Sequence, residues 1–323
     1  MHLGNGAITP ECGLYALGAA ATSTAIALVV ARSKPVGRHS AFGAAALGAA
    51  VFAAQMFNVQ ILPFSSAHLI GGVLLAWALG PPLGLLMMTA ILALEAVMLG
   101  DGGLLALGAN VINMGVVPAV FVAIARRFTR GGGPLRECMT LGAVSLLATI
   151  AAAGLVVVEV SIGRSAAQLE GLSQFTAQML GSHAVFGVLE AVITVAIVAI
   201  LGGMKRQEGV PVRFSPERTA SIAAVAIAIA VLSAPQFGLA SSAPDGYETA
   251  VAKAQDAGSP LGNLQSAATA GELNARVQAW QNGLVAAFPS SETVRGLLGT
   301  LSAGALAIGL AVACRKPKDR AAA

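Results

Sequence analysis

The sequence predicts an all-α integral membrane protein: a seven-helix transmembrane bundle followed by a two-helix C-terminal module. Three observations carry that prediction. First, 56% of the 323 residues are hydrophobic and only 11% are charged, against roughly 25% charged in a soluble domain. Second, apolar runs of helix-spanning length are separated by short loops, whereas barrel strands would alternate in polarity. Third, the basic residues gather in alternate loops. The 38 glycines suit close helix packing in lipid.

Nine apolar runs are expected to be helices, at about 13–31, 41–57, 69–80, 84–99, 103–125, 138–162, 181–203, 219–237 and 295–314. The third is short and stops at Gly80-Pro81-Pro82, which suggests a tilted or partly re-entrant helix. The first run follows no positive n-region. No Lys or Arg precedes Arg32, and Glu11 is the only charge ahead of it, so the run reads as a retained span rather than a signal peptide. Bulky His2 is expected to keep Met1 in place.

Charge sets the orientation. With the N-terminus outside, the inner segments hold Arg32, Lys34 and Arg38, then Arg126, Arg127, Arg130 and Arg136, then Lys205, Arg206, Arg213 and Arg218, then Arg315, Lys316, Lys318 and Arg320. Those are 15 of the 19 Lys and Arg residues, a positive-inside pattern that places the C-terminus inside. Three parts follow: 1–205 with seven spans, a basic linker 206–218 with Pro211 and Pro216, and 219–323 with two spans flanking an outer segment 238–294. That segment is expected to be helical in part, from residue 250 to residue 280.

Two histidines come together under this topology. The Met1 amine, the amide nitrogen of His2 and its imidazole can close two fused chelate rings on one ion. His68, in the outer loop Phe64-Ser65-Ser66-Ala67-His68, can complete a four-nitrogen plane, which suits Ni(II) or Cu(II). Asn110 and Asn113 lie one turn apart and are costly in a span unless paired, so they are candidates to orient a ligand imidazole or a folded terminal loop. Asp101 is placed to cap the fifth helix or to sit near the metal. His183 and Glu190, seven apart on one helix face, form a second polar cluster. Glu95 and Glu159 are further intramembrane carboxylates whose partners the sequence does not name. His39 reads as solvated. Cys12, Cys138 and Cys314 are too scattered for a disulfide framework or a thiolate metal site.

The chain has no Gly-x-x-x-x-Gly-Lys-Ser/Thr loop, no His-Glu-x-x-His and no Gly-x-Ser-x-Gly. It is therefore expected to be a non-enzyme without an ATPase site of its own, with no resident cofactor and no nucleic-acid partner.

Several stretches together resemble one family. They are Met1-His2-Leu3 with Gly6 and Pro10, Ser66-Ala67-His68-Leu69-Ile70-Gly71-Gly72, Gly100-Asp101-Gly102-Gly103 through Gly108-Ala109-Asn110-Val111-Ile112-Asn113-Met114-Gly115, and His183 with Gly187 and Glu190. This region, about 1–205, resembles the substrate-binding membrane component of energy-coupling-factor nickel/cobalt transporters. Pro244-Asp245-Gly246-Tyr247-Glu248 is similar to the Pro-Asp-Gly-Leu-Glu motif of the small two-span component often fused to it, with Tyr247 in place of Leu. The acidic residue often found just after His2 is absent from Leu3-Gly4-Asn5-Gly6-Ala7.

The resemblance implies a metal held by the Met1 amine, the His2 amide and imidazole, and His68. It implies a coupling transmembrane protein and ABC-type ATPases as partners, in the cytoplasmic (inner) membrane of a bacterium. Nickel capture for ATP-driven import is the leading expectation. Cobalt import by the same route is the alternative, as is an autonomous ion-coupled carrier using Glu95, His183 and Glu190.

Overall fold

The structure, a computed structural model, describes residues 2–33, 38–129, 132–202, 214–264 and 271–314, apart from the side chains of 38–40. The elements follow the apolar runs. They are α1 (Pro10–Ser33), α2 (Arg38–Gln55), a hairpin of β1 (Val59–Leu62) and β2 (Ser65–Ala67), α3 (Gly72–Leu79), α4 (Pro81–Leu94), α5 (Leu107–Val111), α6 (Val117–Thr129), α7 (Pro134–Ser161) and α8 (Leu172–Ile200). The C-terminal part adds α9 (Pro216–Leu232), α10 (Gly246–Asp256), α11 (Glu272–Ala286) and α12 (Glu292–Ala313).

Six helical stretches among the described residues are long and apolar enough to cross a membrane: 10–33, 81–99, 107–129, 134–161, 167–200 and 292–313, with Ala41–Gln55 a shorter apolar helix. Large apolar side chains such as Leu14, Val29, Leu147 and Val192 are exposed on their outer faces, as helices facing hydrocarbon require. The third run is an eight-residue helix, too short to span, and every one of its residues is buried inside the bundle. It ends where Gly80 takes a φ of 93° and Pro81 opens α4.

Two π-helical turns interrupt the apolar pattern, Glu95–Leu99 after α4 and Ile112–Val116 between α5 and α6. Such turns rotate the residues beyond them and recur at functional sites. The loop between them explains the Gly-Asp-Gly-Gly stretch. Gly100 and Gly102 sit at φ of 74° and 80°. A Cβ on Gly103 would run into the backbone of Asn5. Likewise a Cβ on Gly108 would strike the backbone of Leu17, so glycine brings α5 against α1.

The C-terminal helices pack onto the first part of the chain. α12 lies on α2, α4 and α9, with Gly299 leaving room for the buried Phe52 ring. The linker expected at 206–218 falls in part on 206–213, outside the described residues. Beyond it, Ser215 caps α9 by accepting from Arg218 N, and Arg218 Nη1 donates to Leu201 O at 3.0 Å at the end of α8. Between α9 and α12, the segment expected to be helical in part holds α10 and α11.

The Pro-Asp-Gly-Tyr-Glu motif has a physical account at each of its last four positions. Asp245 and Glu248 form a reciprocal capping box at the start of α10. A side chain on Gly246 would collide with His183 and Phe186. Tyr247 is buried edge-on against Phe175, ring centroids 6.4 Å apart.

Candidate metal site

Residues 2–8 fold back into the end of the bundle and are held by side-chain amides from two helices, α5 and α11, and a loop arginine. Asn110 reads the backbone of Leu3 from both sides: Leu3 N donates to Asn110 Oδ1 at 2.9 Å, and Asn110 Nδ2 donates to Leu3 O at 3.1 Å. Gly103 N also donates to Leu3 O at 2.8 Å. Asn5 Oδ1 accepts from Leu105 N at 3.0 Å. Asn5 Nδ2 donates to Gln281 Oε1 at 2.6 Å and to Gln278 Oε1 at 3.0 Å, both on α11. Gly6 N donates to Asn274 Oδ1 at 3.2 Å on the same helix. Arg164 Nη2 reaches Ala7 O at 3.2 Å. The side chain of Leu3 is fully buried.

This threading lays the His2 ring against the His68 ring. Their centroids are 5.2 Å apart and their planes 8° from parallel. His2 lies between two carboxylates, with Nδ1 3.2 Å from Asp101 Oδ1 and Nε2 3.3 Å from Glu95 Oε2. His68 Nδ1 lies 3.1 Å from Leu69 O. Donation of the Nδ1 proton to that carbonyl leaves Nε2 as the lone-pair nitrogen.

The electrostatics of the two rings are opposed. Burial works against charge on His2, but the carboxylates of Asp101 and Glu95 outweigh it and raise its pKa to about 10. Burial and the neighbouring His2 push His68 down to about 3. Burial opposes charge on Asp101 too, yet His2 holds it well below the usual carboxylate range. The surroundings thus favour the protonated ring for His2, between two carboxyl groups, and the neutral ring for His68.

The His68 segment has its own anchor. Glu190 on α8 accepts from Ile70 N at 2.9 Å and Gly71 N at 2.8 Å. Before it, Ser66 N donates to Pro244 O at 2.8 Å and Ser66 Oγ to Ala243 O at 2.6 Å, tying the hairpin to the segment ahead of α10.

The predicted site residues therefore divide. His2, His68, Asp101 and Asn110 meet at one end of the bundle, and Glu190 reaches the His68 segment through backbone amides. Met1 lies outside the described residues. Asp101 does not cap a helix: α5 begins at Leu107 after Ala106, with no side-chain cap. Asn113 bonds elsewhere, its Nδ2 donating to Glu159 Oε2 on α7 at 2.8 Å. His183 turns away from the imidazole pair, with Nδ1 2.8 Å from Met179 O and its ring edge-on to Phe186. The side chain of His39 is outside the described residues. Among the described residues no group of three or more His, Cys, Asp or Glu is arranged to hold a metal. A site of the kind predicted draws its other donors from the chain terminus and a backbone nitrogen.

Sequence reasoning left Glu95 without a partner and did not single out Asn274, Gln278 and Gln281. The signal was present: these amides recur at the spacing of one face of α11. Gln281 is 2% exposed and bonds in four directions, to Asn5, Leu104 N, Ala96 O and Gly102 O.

Comparison with known proteins places the chain in a family. Residues 2–208 match the family described as cobalt uptake substrate-specific transmembrane region. The chain belongs to that family. A protein of Haloquadratum walsbyi carrying the name of a metal transport protein is 34% identical over 209 residues, covering 64% of this chain and 91% of the relative. The fused nickel transport protein NikMN of Rhodobacter capsulatus is 37% identical over 114 residues, 34% of this chain and 33% of the relative. A crystal structure of a transition metal transporter superposes with a TM-score of 0.54 at 28% identity, covering 64% of this chain and 95% of that one. This member of the cobalt uptake family is thus a multi-pass membrane protein of transition-metal transport.

Proposed function

We propose that the chain is the substrate-capturing subunit of an ATP-driven energy-coupling-factor importer, with nickel as its cargo. The ion is held by the Met1 amine, the His2 amide nitrogen and Nδ1, and His68 Nε2. The parallel pairing of the His2 and His68 rings, 66 positions apart in the chain and 5.2 Å apart in space, carries this reading. Two imidazoles so placed reach one ion, and His68 Nδ1 is already engaged with Leu69 O.

Nickel is preferred over cobalt because a deprotonated amide and three further nitrogens favour a planar d⁸ ion. The fused nickel transport names among the relatives support the same choice. The family description speaks of cobalt, which is the alternative cargo.

The site end faces outward and the basic loops face the cytoplasm. The buried α3, together with the non-helical residues 68–71 ahead of it, then serves as the third crossing, giving seven crossings before the linker 206–218 and two after it. Energy comes from separate ATPases through a coupling membrane protein, in the inner membrane of a bacterium. The segment 238–294 acts as a clamp. Its Asn274, Gln278 and Gln281 seat residues 5 and 6, and Ala243 and Pro244 brace the hairpin that carries His68. Among the described residues no specific contact favours an autonomous carrier: Glu95 faces His2, His183 bonds to Met179 O and Glu190 to the amides of residues 70 and 71, and none of the three meets another.

The test is uptake of radioactive nickel and cobalt by cells expressing the chain with its coupling and ATPase partners. Nickel accumulation that stops when the ATPase nucleotide site is disabled supports the proposal. Accumulation that survives this but collapses with a proton ionophore contradicts it.

A further inference from the structure

The buried carboxylate of Glu95 has a property that the chelate alone does not account for. It is 1% exposed, and neither of its oxygens has a hydrogen-bond partner among the described residues. His2 Nε2, 3.3 Å away, is also without hydrogen-bond geometry. A buried donor and a buried carboxylate left unpaired are costly, and these atoms face each other. A small turn of the imidazole satisfies them together.

Chelate geometry says what that turn accomplishes. A histidine at position 2 closes a six-membered ring with its own amide nitrogen through Nδ1; Nε2 points away and cannot reach the same ion. The ring binds only if its proton is on Nε2 and its lone pair on Nδ1. Nδ1 faces Asp101 Oδ1 at 3.2 Å, and the Asp101 side chain is 46% exposed on the open side. Asp101 therefore stands where an ion arriving from solvent must displace it, while Glu95 lies on the closed side. The two are linked through the backbone: Gly100 N donates to Glu95 O to close the π turn, and Asp101 N donates to the same oxygen at 3.2 Å.

We infer that Glu95 is a positioning residue for His2: its carboxylate takes the Nε2–H of the ring, Nδ1 is thereby offered to the divalent ion, and Asp101 is the group the ion displaces. This rests on the chelate reading given above. It makes the two rings mirror cases, with His68 presenting Nε2 because its Nδ1 is spent on Leu69 O.

The test uses the full chain with its native N-terminus. Glu95→Leu removes the acceptor, and Glu95→Gln keeps an oxygen for Nε2–H. Ni(II) alone is titrated by calorimetry, and the ligand-field absorption of the bound ion is recorded. Glu95→Leu is expected to bind about 10- to 100-fold more weakly with a shifted absorption band, and Glu95→Gln to retain the wild-type band. Wild-type affinity and band in Glu95→Leu overturn the inference. Equal weakening in both variants with an unchanged band also overturns it, since that marks a merely structural role. Should Glu95→Leu not fold, Glu95→Asp, which withdraws the carboxylate by one methylene, must shift the band in its place, and an unshifted band overturns the inference. A chain with one alanine ahead of Met1 separates the two levels. If that extension abolishes binding while Glu95→Leu is wild-type, only the Glu95 assignment falls. If the extension binds normally, the chelate falls and the assignment with it.

Discussion

The two stretches of chain that bring the imidazoles together are held by different chemistry. Residues 2–7 are held by many separate contacts, mostly side-chain amides: Asn110 on Leu3, Gln281 and Gln278 on Asn5, and Asn274 on Gly6, with Arg164 on Ala7. Residues 65–71 depend on one carboxylate, Glu190, which takes two backbone amides, and on the edge offered by Ala243 and Pro244. The first stretch can be loosened contact by contact. The second places two adjacent backbone amides on one side chain, so loss of Glu190 removes both at once, although Gln55 still holds Ile70 O. A chain end needs many weak holds to be ordered, whereas His68 follows directly on β2 and is already constrained by that strand's pairing.

Predictions that break this contrast run from large to small. His68→Ala deletes a ligand and should exceed the 10- to 100-fold losses usual for outer partners of a metal site, measured by Ni(II) calorimetry; His39→Ala should bind like wild type. Glu190→Ala should come next. It leaves Ile70 N and Gly71 N without their acceptor, each costing about 1–3 kcal/mol when buried, so both metal affinity and the thermal unfolding temperature of the metal-free protein should fall. Asn110→Ala should weaken binding by about tenfold while the unfolding temperature moves less, because other contacts still hold Leu3 and Asn5. Gln281→Ala should have a similar or smaller effect on affinity, and combining it with Asn110→Ala should cost more than either alone. His183→Phe should change affinity least. Equal losses for Glu190→Ala and Gln281→Ala would show that the two stretches are not held differently.

Acidity sharpens the contrast further. The His2 pKa is raised to about 10 in the folded protein. Its ion pairs therefore stabilise the metal-free fold fully below the ordinary histidine value, and that contribution is lost as pH climbs through about 10. Metal binding has the opposite dependence, since the ion must displace one proton from the Met1 ammonium, one from the His2 imidazolium and the amide proton. Below the ordinary amine range of about 7.7–8.0, three protons released per ion weaken binding by about a thousandfold per pH unit of acidification. Calorimetry in buffers of different ionisation enthalpy counts those protons. His68, held near 3, should add none.

Much of the fold was legible because hydropathy is local. Each of the nine apolar runs contains a helix, and the short third run was marked by Gly80-Pro81-Pro82. The site was legible only where it depends on local chemistry: the Met-His start, His68 in its loop, and Asn110. The rest turned on long-range pairing that periodicity does not encode. Asn110 and Asn113 share a helical spacing, yet a π turn begins at Ile112, and they bond Leu3 and Glu159 respectively. Glu95 finds His2 across 93 positions of sequence. Asp101 looked like a helix cap, but α5 starts six residues later, which frees it to meet His2.

The central claim is that the chain terminus is itself a ligand. Calorimetric titration of Ni(II) into the purified chain, with and without one extra residue ahead of Met1, tests it most directly. Tight binding by the native chain and its loss in the extended one is the predicted result. Equal affinity in the two would contradict the account, because an internal peptide bond in place of the amine cannot complete the chelate.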